Sequence, residues 1–266
     1  MKKILSLFLT IFLLGNALTY AAPAKRIISL SPSLTKNLQY MEAESAMVGR
    51  TSYCKTKRNI TVVASAIKVN VEKVVSMKPD LVIATTLTPP QTVAALKKMN
   101  INIVVFSSPK SFNEICEQFL QLGKLVGKEN VAKSVLVKVQ KKVTALKAEK
   151  IPTQKIFIQL GANPIFAVIP NTFMADYITF VGSENIAAGM TSGTISREAV
   201  LQKNPDTIFI VTMGMLGIEE KKQWESFKNL SAARSKKIFI IDSDKACNHT
   251  PVTFVETLEE MIKLLK

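Results

Sequence analysis

The chain has 266 residues, 47% of them hydrophobic, with 35 Lys and Arg against 20 Asp and Glu, a formal net charge of +15. The lysines are spread along stretches such as 133–150 without a dense basic block or interleaved aromatics, so the charge reads as a solvated basic surface and not as a nucleic-acid face. A single histidine excludes a bare zinc or manganese receptor, which needs several imidazole and carboxylate ligands.

In chain order, residues 1–24 read as a signal peptide. Lys2 and Lys3 precede the short apolar run from Ile4 to Leu14, and Ala21, Ala22 and Ala24 offer small residues for cleavage. The run is too short to span a bilayer, and no cysteine follows it to carry a lipid anchor. These features predict a periplasmic protein.

Short β-rich runs then alternate with helical patterns. Strands are predicted over 27–30, 81–84 and 101–106, and helices over 34–41, 91–99 and 112–126, a rhythm of parallel α/β sheet with helices on its faces. The rhythm breaks at 130–150, a stretch without Gly or Pro that predicts one long helix. Its apolar positions are read as Val131, Val135, Val137, Val139, Val143 and Leu146, and Pro152 ends it. The α/β rhythm resumes with strands at 155–160, 206–211 and 237–241, a helix at 172–181 and a closing amphipathic helix at 252–265.

An internal repeat gives the organisation. VEKVVSMKPDLVIA at 71 and REAVLQKNPDTIFI at 197 place Glu72 with Glu198, Pro79 with Pro205 and Asp80 with Asp206. RIISLSP at 26 echoes KIFIQLG at 155. Two related halves and a connecting helix predict an N-terminal lobe (25–128), a backbone helix (129–151) and a C-terminal lobe (152–266), with a ligand cleft between two Rossmann-like parallel α/β lobes.

Cys54, Cys116 and Cys247 are an odd number in an exported chain, so at least one stays unpaired. Cys116 falls in a helical pattern and reads as a buried thiol. Cys54 and Cys247 each follow a strand. They either pair, tying the lobes together, or face a ligand, and both readings stand. His249, two residues after Cys247, is read either as a hydrogen-bonded loop histidine or as a ligand to the metal of a bound chelate.

RIISLSPSLT at 26, VGRTSYC at 48, VNVEKVVSMKPDLVIA at 69, INIVVFSS at 101, FIQLGANPIF at 157, FVGSENIA at 180 and ISREAVLQKNPD at 195 resemble the helical-backbone class of periplasmic solute-binding proteins of ABC importers. Within it they look like the vitamin B12 (cobalamin)-binding family, with ferric-siderophore and haem binders as cousins. The resemblance runs from Arg26 to the C-terminus. It implies a monomeric carrier that holds no cofactor of its own, binds a cobalt- or iron-containing chelate and delivers it to an inner-membrane permease with its ATPase subunits. By similarity Glu72 and Glu198 dock on the permease, whereas taken alone each is a helix-starting carboxylate. By similarity too, Pro32, Ser33, Tyr53, Phe166 and Asp244 contact ligand; Cys54 and His249 join them on position. The chain departs from the B12 binders where they place a tryptophan (here Ala66), a glycine (Lys68), an aromatic group (Lys245, Ala246 and Cys247) and arginines (Asn248 and Val252).

No G-x-S-x-G, Walker loop or G-x-G-x-x-G is present, so no enzyme motif competes with this reading. A periplasmic hydrolase on the same scaffold, using Ser31 or Asp244, is the alternative from another class. A domain that only docks and regulates a membrane complex is a third.

Overall fold

The computed structural model describes residues 23–65, 68–212 and 215–266. Most of the predicted signal segment, and Ala66, lie outside these residues. The first lobe comprises β1 (Ile27–Ser29), α1 (Pro32–Tyr40), β2 (Met47–Thr51), β3 (Thr61–Ala64), α2 (Val71–Ser76), β4 (Leu81–Thr85), α3 (Pro90–Lys98), β5 (Ile103–Phe106) and α4 (Phe112–Leu125). Its sheet has the order β3-β2-β1-β4-β5 with every pair parallel. Helix α5 (Glu129–Lys147) follows.

The second lobe comprises β6 (Lys155–Leu160), β7 (Phe166–Ala167), α6 (Ala175–Phe180), β8 (Glu184–Asn185), α7 (Arg197–Lys203), β9 (Thr207–Val211), α8 (Met215–Glu225), α9 (Ser231–Arg234), β10 (Ile238–Ile240), α10 (Ser243–Ala246) and α11 (Pro251–Leu265). Strands β10, β9 and β6 are parallel. The far side of β6 is shared by β8, parallel to its first residues, and β7, antiparallel to its last. The antiparallel β7 departs from an all-parallel lobe. A two-residue strand reached by a short loop can only return alongside its predecessor, because a parallel return needs a long crossover.

The period-2 pleat sorts strand residues between cores. Ile27, Leu81 and Ile83 of the first sheet, and Ile156, Ile158, Phe209 and Val211 of the second, enter one contiguous core with α1, α4, α5, α6 and α11. Their neighbours turn outward: Ile28, Val82 and Ala84 to a smaller core under α2 and α3, and Phe157, Ile208 and Ile210 to one around Trp224. The lobes are thus joined by a shared interior as well as by a connecting helix.

That interior centres on Phe254 of α11. Its ring lies 4.5 Å from Tyr177 in a stacked arrangement, 4.6 Å from Phe112 and 5.6 Å from Phe180. Phe112 opens α4 in the first lobe, whereas Tyr177 and Phe180 belong to α6 in the second. The Phe112 amide also donates to Asp176 Oδ2 at 2.7 Å.

Helix α5 buries Ala132, Leu136, Val139, Val143 and Leu146, spaced four and three residues apart, the stripe of a helix packed along one side. Counting valines misplaces that face. Val137 is 67% exposed, because it lies on the lysine side one residue past Leu136. The duplicated Pro-Asp has a structural meaning. Asp80 accepts from the Lys25 and Arg26 amides at 2.7 and 2.9 Å, and Asp206 accepts from the Lys155 amide at 2.8 Å. Each aspartate ties the start of β4 or β9 to the start of its neighbour, β1 or β6.

Phe254→Ala removes a ring that both lobes share. It should lower unfolding free energy by about 3–5 kcal/mol, the usual cost of truncating a buried Phe, measured by urea unfolding. A loss under about 1 kcal/mol would show the knot to be peripheral.

Candidate functional site

The carboxyl ends of both sheets face one cleft of about 780 Å³, within the ~300–1,000 Å³ span of small-molecule sites. The first lobe supplies the turns after β1, β2, β3, β4 and β5. The second supplies the ends of β6 and β9, the start of α8, Phe173 and the α10 segment through His249. Helices α1, α3 and α11 each start on a proline, which suits a first helical turn and sets the turn before it.

The floor is a chain of hydroxyls consumed by one another. Thr35 donates to Ser29 Oγ at 2.9 Å, Ser29 donates to the Ser31 carbonyl at 3.1 Å, and Ser31 and Ser33 share a bond of 3.0 Å. Ser33 Oγ lies 3.0 Å from His249 Nε2, bridging the lobes. The rim is largely apolar, with Leu87, Tyr53 and Leu216 exposed on it.

Tyr53, 61% exposed, is held by a braced turn. Arg50 Nη1 donates to the Thr51 and Cys54 carbonyls, both at 3.0 Å, and the Tyr53 amide donates to Thr51 Oγ1 at 3.3 Å. On the opposite wall Asp244 faces back to the first lobe. Its carboxylate pairs with Lys55, and its carbonyl accepts from Lys36 at 2.8 Å.

Pro32, Ser33, Tyr53, Asp244 and His249 line the cleft together. Cys54 does not. It is 2% exposed behind the Tyr53 turn, with Sγ 3.1 Å from Thr51 Oγ1. Phe166 lies exposed on β7 and is not among the lining residues. Of the two readings of Cys54 and Cys247, their pairing is not formed in this structure, where all three cysteines are free thiols. Cys54 turns into the lobe interior while Cys247 lines the cleft, so their side chains do not meet. Burial pushes the Cys116 thiol up to about 12, with Glu117 adding to the effect. Desolvation raises the Cys247 thiol as well, followed by Asp244 and Asp242, so it is a neutral thiol at neutral pH.

Phe173, Thr212 and Leu216 also line the cleft and carry no motif. Thr212 follows β9, so the rule that ligands sit past strand ends is the signal that finds it. The α8 sequence is a mostly polar run, and Phe173 lies in a turn before α6.

Glu72 and Glu198 are exposed second residues of α2 and α7. Asn70 and Ser196 cap those helices by accepting from the Lys73 and Ala199 amides at 2.9 and 3.2 Å. The Glu198 carboxyl is held below its ordinary range by its own amide, the Ser196 hydroxyl and Arg197.

A family model described as periplasmic binding protein matches residues 27–245. An ABC transporter substrate-binding lipoprotein of Bacillus subtilis is 27% identical over 254 residues, 89% of this chain and 78% of that protein. A vitamin B12-binding protein of Vibrio parahaemolyticus is 26% identical over 269 residues, 97% of this chain and 95% of its own. The solved periplasmic heme binding protein HutB of Vibrio cholerae superposes with a TM-score of 0.81 at 18% identity, covering 90% of this chain and 98% of that one. No helix among the described residues is long and apolar enough to cross a membrane.

Burial holds His249 down to about 4, against an ordinary value of ~6.5. The unfolded chain therefore takes the proton first. The stability His249 contributes is complete above about pH 6.5 and is lost as pH falls towards 4, by up to about 3 kcal/mol. Urea unfolding at pH 7 and 4.5 should show this loss in the wild type and a smaller one in His249→Gln. Equal losses would place the proton elsewhere.

Proposed function

The chain belongs to the periplasmic binding protein family, and from that premise we propose that it captures a corrinoid in its interlobe cleft and delivers it to an inner-membrane ABC permease with its ATPase subunits. The observation that carries this reading is the cleft itself. It is a large, mostly apolar space shared by two lobes, with the hydroxyls of the β1–α1 turn already paired and a braced aromatic at its rim. Such a site favours a broad organic chelate recognised by shape and apolar contact over a small hydrated ion. Tyr53 is placed to lie against the face or edge of a macrocycle. Relatives that bind vitamin B12 match nearly the full length of this chain, which supports a corrinoid as the first choice.

Haem or a ferric siderophore is the second reading. A phenolate is one of the ligand types that hold haem iron, and Tyr53 exposes its phenol at the cleft rim. His249 is less available as a metal ligand, because its Nε2 is engaged with Ser33. The Ser33–His249 pair does not favour a hydrolase. An imidazole held near pKa 4 is a weak general base at neutral pH, and the family is one of solute-binding proteins.

The carrier works as an exported monomer and has no nucleic-acid partner. The lobes run 25–128 and 152–266 with the backbone helix between. Glu72 and Glu198 stand exposed at matching positions of the two lobes, on helices whose N-termini are already capped by Asn70 and Ser196, and so are available to a two-fold basic partner.

Calorimetric titration with cyanocobalamin, haemin and a ferric siderophore tests the ligand. One-to-one binding of cyanocobalamin, weakened about tenfold or more in Tyr53→Ala, is the expected result. Saturable binding of haemin alone would replace corrinoid with haem, and turnover of any of these would overturn the carrier reading. Uptake in whole cells tests docking: Glu72→Lys with Glu198→Lys should abolish it with ligand affinity unchanged. Uptake at the wild-type rate would remove both residues from the docking face.

A further inference from the structure

A buried polar joint connects the cleft to α7. Gln159, fully buried on β6, donates from its amide to the Gly161 carbonyl at 2.9 Å and to Glu220 Oε2 at 2.6 Å. Its Oε1 accepts from Trp224 Nε1 at 2.6 Å. Both carboxylate oxygens of Glu220 accept from Arg197 Nη2, at 3.1 and 2.8 Å. The Arg197 guanidinium lies 4.3 Å over the Trp224 ring. The Arg197 and Glu220 side chains are only 14% and 8% exposed.

A buried ion pair adds little net stability, because desolvation offsets the attraction, yet its geometry is demanding: moving one partner strands a charge. A displacement at one end of this network is therefore costly unless the other end follows. At one end, Gly161 lines the cleft, and so does Leu216, one helical turn before Glu220 on α8. At the other, Arg197 is the first residue of α7, immediately before Glu198.

We propose that Glu220 and Gln159 are positioning residues for the docking carboxylate of Glu198, fixing Arg197 and the first turn of α7 and carrying to it any displacement that an occupant makes at Gly161 and Leu216. This rests on the docking reading above and assigns a route by which a filled cleft is presented differently from an empty one.

Hydrogen–deuterium exchange across residues 197–203, with and without saturating cyanocobalamin or haemin, is the test. The bound probe should change exchange there by about threefold or more in the wild type. Glu220→Gln should abolish that change, Glu220→Asp should partly restore it, and probe affinity should stay within about twofold in both. A merely structural role would lower thermal stability and leave the probe-induced change in place. A probe that binds without altering 197–203, or a change that persists in Glu220→Gln, overturns the joint.

If neither probe binds, that silence counts against the corrinoid and haem readings, and the joint is judged from its cleft end by substitution. Gly161 has φ +64°, and an added Cβ would lie 3.3 Å from the Pro164 carbonyl. Gly161→Ala must then alter exchange at 197–203 in the wild type and not in a Gln159→Leu background. Equal effects in both backgrounds, or none in either, overturn the joint.

Discussion

The structure depends on the ring of Phe254. It sits where the first lobe, through Phe112, meets the second, through Tyr177 and Phe180, and it belongs to α11, the last element of the chain. The cleft exists because two sheets point their carboxyl ends at each other, and that orientation is held by a hydrophobic interior continuous across both lobes. Connection by α5 alone would leave the lobes free to pivot. Here the interior, the Phe112–Asp176 bond and the Ser33–His249 bridge all oppose pivoting. A preformed site loses less ordering entropy on binding than one that must assemble.

The same economy shapes the cleft surface. Hydroxyls at the β1–α1 turn are paired with one another, so they do not reward a small polar solute. Asp244 is engaged across the cleft by Lys55 and Lys36. What remains exposed at the rim is mainly apolar and aromatic. The proposed carrier function would ask two things of one scaffold: a shaped apolar space on the strand-end side, and a pair of equivalent carboxylates on the helices that lead into β4 and β9. The duplicated helix–Pro-Asp–strand unit provides the second, and its aspartates fasten each copy to the neighbouring strand.

Much of this was legible in the sequence because the elements that matter most are strongly patterned. Strand β6 coincides with its predicted span, and α4 and α11 agree within a residue. The face of α5 agrees with its predicted positions at Val139, Val143 and Leu146 and differs towards its start, since valine identity is a poorer guide than spacing: Ala132 and Leu136 are inside and Val137 is out. Strands β7 and β8 have two residues each and present no period to detect. In the cleft, Pro32, Ser33 and Tyr53 follow strand ends, where ligand-facing loops lie, and the family resemblance picks them out together with Asp244; His249 joins them through the loop after α10. Cys54 sits beside the lining Tyr53 in the chain yet turns inward, a side-chain direction that loop sequence does not encode, and Phe166 falls on β7, five residues past the lining Gly161. Leu216 and Phe173 reach the cleft only through the packing of α8 and the turn before α6. The Arg197–Glu220–Gln159 network was invisible for the same reason, its members being 61 and 23 residues apart.

A core shared by both lobes should fix the cleft before any solute arrives. The direct measurement is a spin-label distance between the lobes, with nitroxides at Ser76 and Lys203 after replacement of the native cysteines, in the absence and presence of cyanocobalamin. A cleft fixed by the shared core gives one narrow distribution whose centre moves by less than about 2 Å on addition. A broad or two-peaked distribution in the empty protein would mean that the lobes pivot and that the cleft is assembled by its ligand.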